Sequence, residues 1–252
     1  MRNRRAKKEE QTMQNTEQRA FYNSFRTAAG HHRGSQPSPS RIINGDCTQV
    51  LSGLDSGSVD FVLTDPPYIT RYKSRDGRTV MNDDNAAWLA PAFSELYRVL
   101  RRESFCVSFY GWNHVDKFIS AWREAGFRIV GHMVFTKGYA SSQRYLRYQH
   151  EQAYLLAKGT PQLPPEPMSD VLSWTYTHNR LHPTQKPVSV LKPLIEAFSA
   201  EGDLVLDPFC GSASTLVAAH QLGRKYLGIE LDPEYFRIAS QRLRDLGVSQ
   251  GR

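Results

Sequence analysis

From Arg41 onward the chain alternates short apolar runs with segments whose apolar residues recur at helical spacing. A chain patterned in this way buries parallel strands beneath crossover helices. Val59-Asp60-Phe61-Val62-Leu63-Thr64 reads as a buried strand, stopped by Asp65-Pro66-Pro67-Tyr68. Leu89, Phe93, Leu96 and Leu100 follow at spacings of four, three and four, which predicts a helix ahead of a strand over 105–110. Phe118, Ile119 and Trp122 mark the next helix, closed by Gly126, and further strands are expected over 127–135 and 152–157. Pro187 suits a first helical position, with Leu191, Leu194, Ile195 and Phe198 on one face. A strand over 204–206 then ends at Asp207-Pro208-Phe209-Cys210-Gly211-Ser212, and a helix through 216–222 stops at Gly223. A strand over 226–229 ends at Glu230, and the last helix starts at Asp232-Pro233. The expected class is α/β, a doubly wound, mostly parallel sheet with flanking helices. Ligands in such folds gather at the carboxyl ends of the strands, so residues directly after strands carry the functional weight.

The segment before Arg41 is different. It holds Arg2, Arg4, Arg5, Lys7 and Lys8, then a Gln/Asn/Arg-rich stretch, then Gly30-His31-His32-Arg33-Gly34-Ser35-Gln36-Pro37-Ser38-Pro39-Ser40. That is too little apolar material to fold alone, and residues 1–40 are expected to be a disordered basic leader with a short helix near 17–27. The net charge is +7, of which those five cations carry five, leaving +2 elsewhere. Basicity therefore fits a solvated tail as well as a nucleic-acid arm. Residues 41–252 are long enough for one domain. No stretch of about 18 uncharged apolar residues occurs, and the charged Met1–Glu10 start lacks a secretory core, so an intracellular, cytoplasmic location is expected. Cys47, Cys106 and Cys210 are odd in number and without CxxC spacing, which suggests neither a disulfide framework nor a zinc site. His31-His32, His114 and His132 show no ligand spacing, and His150-Glu151 lacks the second His of a zinc protease, so no metal is expected.

Residues 204–232 run strand, tight small-residue loop, helix, strand, acid, with Glu230 about 20 residues beyond Gly211, the topology of a nucleoside pocket whose strand-end carboxylate accepts from both ribose hydroxyls. The loop has one glycine where a dinucleotide site wants several, and no phosphate-gripping Lys. It suits a nucleoside without phosphate, and Asp207 would complement a cationic one. Taken alone, the same residues also fit a polar turn and a solvated helix cap. At the other strand end, Pro66 and Pro67 fix the backbone and remove two amide donors, so that the carbonyls of Asp65 and Pro66 can be aimed outward. In isolation that tetrapeptide is also an ordinary Asp-Pro turn.

Together these residues resemble the β group of S-adenosylmethionine-dependent amino (N6-adenine/N4-cytosine) DNA methyltransferases, in which a DPPY catalytic motif precedes the cofactor motif. The resemblance covers roughly 41–246. It is carried by Asn44-Gly45-Asp46, Asp65-Pro66-Pro67-Tyr68, His150-Glu151, His182-Pro183-Thr184-Gln185-Lys186-Pro187, the run from Asp207 to Thr215, and Gly228-Ile229-Glu230. It implies a permuted Rossmann-like sheet and S-adenosyl-L-methionine as cofactor. Asp65 would contact the target amino group and the cofactor's methionine part. Tyr68 would stack on a base swung out of the duplex. Asp207, Phe209, Gly211, Ser212 and Thr215 would line the methionine side, Glu230 would hold the ribose, and Asp46 and Cys47 would lie near the adenine. Gln185 and Lys186 would face the cofactor, Lys186 as a partner for its carboxylate. The chemistry has a physical reason. An exocyclic amino nitrogen is planar and weakly nucleophilic, and two acceptors, the Asp65 carboxylate and the Pro66 carbonyl, draw it toward tetrahedral geometry.

The Asp form of the motif implies N6-adenine in a short site of double-stranded DNA as the target, with N4-cytosine the alternative and an RNA base a more distant one. A nicotinamide or flavin oxidoreductase lacks its glycines here, and a non-catalytic DNA-binding module would not need Asp65. The expected setting is the cytoplasm of a prokaryotic cell, phage- or plasmid-encoded forms included, with or without a restriction partner. Arg71, Lys73, Arg75 and Arg78, opposed locally only by Asp76, suit phosphate gripping beside the active loop. Lys137, Arg144 and Arg147 interleave with Tyr139, Tyr145 and Tyr148, a mix of cations and stacking faces. Each run also reads as a solvated loop. Small target-recognition insertions are thus expected near 69–85, 137–148 and 159–181. The last has only 23 residues, short for sequence discrimination by one subunit, which makes a homodimer an expectation.

Overall fold

The computed structural model describes residues 40–73, 77, 79–143, 145–164, 166–174, 181–182 and 184–247. The leader expected over 1–40 lies outside the described residues except for Ser40, as do Arg75, Arg78 and Arg144. In chain order the elements are β1 (Arg41–Asn44), α1 (Cys47–Ser52), β2 (Phe61–Thr64), α2 (Leu89–Val99), β3 (Ser104–Phe109), α3 (Val115–Ala125), β4 (Arg128–Lys137), β5 (Ser142–Gln143) and β6 (Arg147–Tyr148). They continue with β7 (His150–Lys158), β8 (Val171–Trp174), α4 (Val188–Phe198), β9 (Leu204–Asp207), α5 (Ser214–Gln221), β10 (Lys225–Glu230) and α6 (Pro233–Asp245). Among the described residues no helix is long and apolar enough to cross a membrane.

Eight strands form one sheet in the order β1-β10-β9-β2-β3-β7-β4-β8, with β5 and β6 a separate ribbon. The first five run parallel. All four residues of β2 and of β9 are buried, as parallel strands covered on both faces require. The pleat sorts them. Phe61 and Leu63 pack with Leu191, Leu194 and Ala218, beneath α4 and α5. Val62 packs instead with Phe93, Leu96 and Phe118, beneath α2 and α3.

The strand order reverses between β9 and β2. From β9 the chain passes through α5 to β10 on one side, and from β2 through α2 to β3 on the other. The loops after β9 and β2 therefore diverge and leave a crevice at their carboxyl ends. This is the doubly wound, mostly parallel fold expected. The strand expected over 127–135 and the one over 152–157 are β4 and β7, but β7 runs antiparallel to both β3 and β4, an orientation that apolar periodicity does not encode. Pro187 caps α4 rather than opening it, because its ψ of 132° is still extended. Val59 falls outside β2 and makes an isolated bridge with Leu100.

Candidate functional site

The carboxylate that follows β2 is held from two sides. Lys186 Nζ donates to Asp65 Oδ2 at 2.6 Å, and Tyr68 Oη donates to Asp65 Oδ1 at 2.9 Å. Lys186 Nζ also reaches the Tyr68 oxygen at 3.2 Å. The lysine is only 7% exposed and stands over the rings of Tyr68, Phe109 and Trp174, at 5.2, 5.0 and 5.9 Å from their centroids. It reached this place because 185–187 is the connection into α4, which packs under β2 and β3. Burial pushes the Asp65 carboxyl above its ordinary range, and the charge of Lys186 is the chief influence opposing this. Burial, then the Asp65 charge, raises the Tyr68 phenol well above its ordinary range, so it stays a neutral donor. The sequence reading set Lys186 against a cofactor carboxylate; the structure adds Asp65 as a partner that the reading did not name.

The β9 side is built from carboxylates as well. Asp207 is 2% exposed and accepts from the Phe209 amide at 3.2 Å. Glu230 accepts from the Gly211 amide at 2.7 Å through one oxygen and from the Asp232 amide at 2.9 Å through the other. The first of these bonds turns the β9 loop over the end of β10, and the loop follows because Gly211 takes φ 51°. Asp46 caps α1, accepting from the amides of Thr48 and Gln49 and from the Thr48 hydroxyl; that hydroxyl is the main reason its carboxyl lies below the ordinary range. Cys47, buried, has its thiol pushed up to about 12, chiefly by desolvation, so it is a neutral packing group.

Burial raises the Asp207 carboxyl from the ordinary 3.8 to about 7, against the bond to Thr215. The folded chain thus keeps a proton that the unfolded chain releases between those values. Stability from this source is complete below about pH 4 and is lost as pH rises to about 7. An Asp207→Asn variant, which cannot ionise, is expected to melt above the parent at pH 8, with the gap closing toward pH 4. Thermal melts at both pH values check it, and a gap independent of pH overturns the assignment.

One cleft, with about 1150 Å³ of space including its solvent-filled mouth, joins the two halves. It is lined by Asp65 through Tyr68, Asp46, Cys47, Gln185, Lys186, Asp207, Phe209, Gly211, Ser212, Thr215 and Glu230, so every residue singled out for catalysis or cofactor lies on it. The sequence reading missed several walls. Trp88 packs edge-on against Phe209 with centroids 5.1 Å apart, and its indole donates to the carbonyls of Asn82 and Asn85. Asp83 accepts from the Thr70 hydroxyl and the Tyr72 amide, which ties 70–72 to Asp83 at the cleft wall. His182 lies against Tyr235, with ring centroids 4.2 Å apart. Only tertiary packing brings Trp88 and Asp83 to the site, and no motif marks them; His182 opens one of the matched stretches but was given no role there.

Among the described residues lining the cleft, six are carboxylates, Asp46, Asp65, Asp83, Asp207, Glu230 and Asp232. Lys186, committed to Asp65, is the one Lys or Arg there. Such a wall attracts a cation and repels phosphate. Farther out, Arg71, Lys73 and Arg147 are exposed. Lys137 is a correction to the sequence reading: it is 8% exposed and paired with Glu151, over the rings of Tyr139 and Trp174, and is not presented to a phosphate.

A family model described as DNA methylase matches residues 59–241. The YubD protein of Escherichia coli (strain K12) is 55% identical over 204 residues, covering 81% of this chain and 90% of that one. The DNA adenine methyltransferase YhdJ of the same strain is 29% identical over 244 residues, covering 80% and 82%. Among solved structures, the M1.HpyAVI-SAM complex superposes with a TM-score of 0.65 at 22% identity, covering 81% of this chain and 98% of that one.

Proposed function

The chain belongs to the N6/N4 DNA methylase family, and from that premise we propose that it methylates the N6 amino group of adenine in a short site of duplex DNA, with S-adenosyl-L-methionine as methyl donor. The observation that carries this reading is the convergence of Asp65 and Glu230 on one cleft whose charges suit a cationic nucleoside without phosphate. When bound, that cofactor supplies a methyl group on an electrophilic sulfonium. The residues that would hold it are Glu230 at the ribose, Asp207 and its loop at the methionine ammonium, and Asp46 with Cys47 beside the adenine. On the target side, Asp65 accepts one amino hydrogen and the Pro66 carbonyl a second, which localises the nitrogen lone pair. Tyr68 offers the face on which the extruded base rests, and the two prolines hold these acceptors still. Arg71, Lys73 and Arg147 take the flanking phosphates.

Adenine is favoured over cytosine by the Asp at position 65, the form the resemblance links to N6 chemistry, and by the likeness to a relative named as an adenine methyltransferase. Mass spectrometry of nucleosides from DNA and RNA incubated with the protein and cofactor tests this directly. N6-methyladenine in DNA is expected; N4-methylcytosine or methylated RNA as the sole product overturns it.

A second check concerns the cofactor alone. A Glu230→Gln variant replaces half of the ribose acceptor by a donor and is expected to weaken S-adenosylmethionine binding roughly 10- to 100-fold, since a hydrogen bond to a charged group is worth about 1.5–3 kcal/mol. The turnover number at saturating cofactor should change by only a few fold. Calorimetric titration with the cofactor reads the first and initial rates the second; unaltered affinity removes Glu230 from the role.

A further inference from the structure

The connection between β4 and β7 leaves the sheet at the edge where the cleft opens. β3 ends at that edge, β7 pairs antiparallel with β3 and so begins there, and β4, antiparallel to β7, ends there. The connection is spent on the β5–β6 ribbon, and just before Arg147 it carries two adjacent large apolar side chains, Tyr145 at 99% and Leu146 at 70% exposure. Neither helps to bury a core. The root of the ribbon is fixed: Ser141 donates to the Tyr148 carbonyl from its amide at 2.8 Å and its hydroxyl at 3.1 Å. Tyr148 stacks on Trp112, with centroids 5.9 Å apart and planes at 23°. The residue before that Trp, Gly111, lies so close to the catalytic loop that a Cβ there would sit 2.7 Å from the Tyr68 carbonyl. An unbroken contact path therefore runs from Tyr68 to the ribbon.

A base drawn out of a duplex leaves its stacked neighbours without a partner, and proteins that open a base step often insert an apolar wedge there. Tyr145 stands three residues from the root, roughly 10 Å at strand rise, against a major groove roughly 8.5 Å deep. Arg147, exposed beside it, suits a backbone phosphate and not an apolar protein face. We propose that the ribbon tip, Tyr145 with Leu146, enters duplex DNA at the target base pair and fills the place vacated by the base held at Tyr68. This rests on the reading of the chain as a duplex-DNA base methylase.

The test compares the wild type with a Tyr145→Ala/Leu146→Ala variant, whose two positions lie outside the core. Two duplexes carry the site read from sequenced methylated DNA: one intact, one lacking the base opposite the target, so that no pair has to be broken. Methylation of the intact duplex is expected to fall roughly 10- to 100-fold in the variant, while that of the gapped duplex stays within about twofold. With 2-aminopurine at the target position, the fluorescence rise on binding should be lost in the variant. Equal losses on both duplexes, or no loss on the intact one, overturn the wedge. A variant that loses a dimer in light scattering while keeping its fluorescence rise marks the ribbon as an interface between copies and overturns it too. A wild type that methylates neither duplex defeats the methylase reading itself, whereas an active wild type with an unaffected variant defeats the wedge alone.

Discussion

Replacing Asp65 with alanine is expected to lower methyl transfer roughly 10³-fold or more while leaving affinity for duplex DNA within a few fold. The rate effect follows from the loss of one of two acceptors that localise the amino lone pair. The binding effect is small because the exposed cations, Arg71, Lys73 and Arg147, carry the phosphate contacts in this reading. The substitution has a second consequence that has to be separated from the first. It leaves Lys186, 7% exposed, without its carboxylate, and breaking a buried pair from one side costs about 3–5 kcal/mol. The variant should therefore melt well below the parent. An Asp65→Ala/Lys186→Met double variant removes the orphaned charge and should recover most of that melting temperature without recovering turnover. Methyl incorporation into DNA, filter binding and thermal melts on the three proteins decide the matter. If the single variant keeps more than about a tenth of wild-type turnover, a far smaller loss than a removed transition-state contact produces, Asp65 is not the acceptor.

The two strand-end acids were legible in the sequence because each closes a local pattern: an apolar run, an acid, then a proline. The step from Gly211 to Glu230 was legible for the same reason, as strand, helix and strand are contiguous there. That β2 lies beside β9 was not, since the strands are about 140 positions apart. Their junction is made by Asp60, whose amide donates to the Leu204 carbonyl at 3.1 Å and whose carboxylate accepts from the Leu204 amide at 2.8 Å. Nothing in the local sequence distinguishes that Asp from a solvated one. Lys137 shows the same limit. In the linear chain it belongs to a run of cations and tyrosines, but the β4–β7 register sets Phe135 opposite Glu151 and Thr136 opposite His150, which brings the lysine to the glutamate. The β5–β6 ribbon escaped because two-residue strands are too short to show a period. Lys186 was found as a residue, but its bond to Asp65 was not legible, because that carboxylate lies 121 positions away.

That partnership predicts the second large effect. In a Lys186→Met variant the acid limb of the rate–pH profile is expected to move alkaline, because an adjacent opposite charge favours the ionised form of a carboxyl. Burial already raises the Asp65 carboxyl, and Lys186 is the first of the influences that hold it down. Without that charge the carboxyl keeps its proton to higher pH. A protonated Asp65 is a poorer acceptor for an amino hydrogen, so turnover should drop on the acid side and return as pH rises. The measurement belongs at saturating S-adenosylmethionine, because Asp207, raised to about 7, would in the proposed reading add its own titration through cofactor binding. Stability should move the other way. An acid whose folded pKa is raised further above its unfolded value gives stability that is present below the unfolded value and lost as pH climbs toward the folded one, so the variant's melting temperature should fall across the pH range in which its turnover recovers. A lysine that merely fills space predicts neither crossing: methionine would then lower the rate by one factor at every pH, with the limb unmoved. Rates and melts of the two proteins on one pH series distinguish these outcomes, and an unshifted limb ends the claim that Lys186 sets the charge of Asp65.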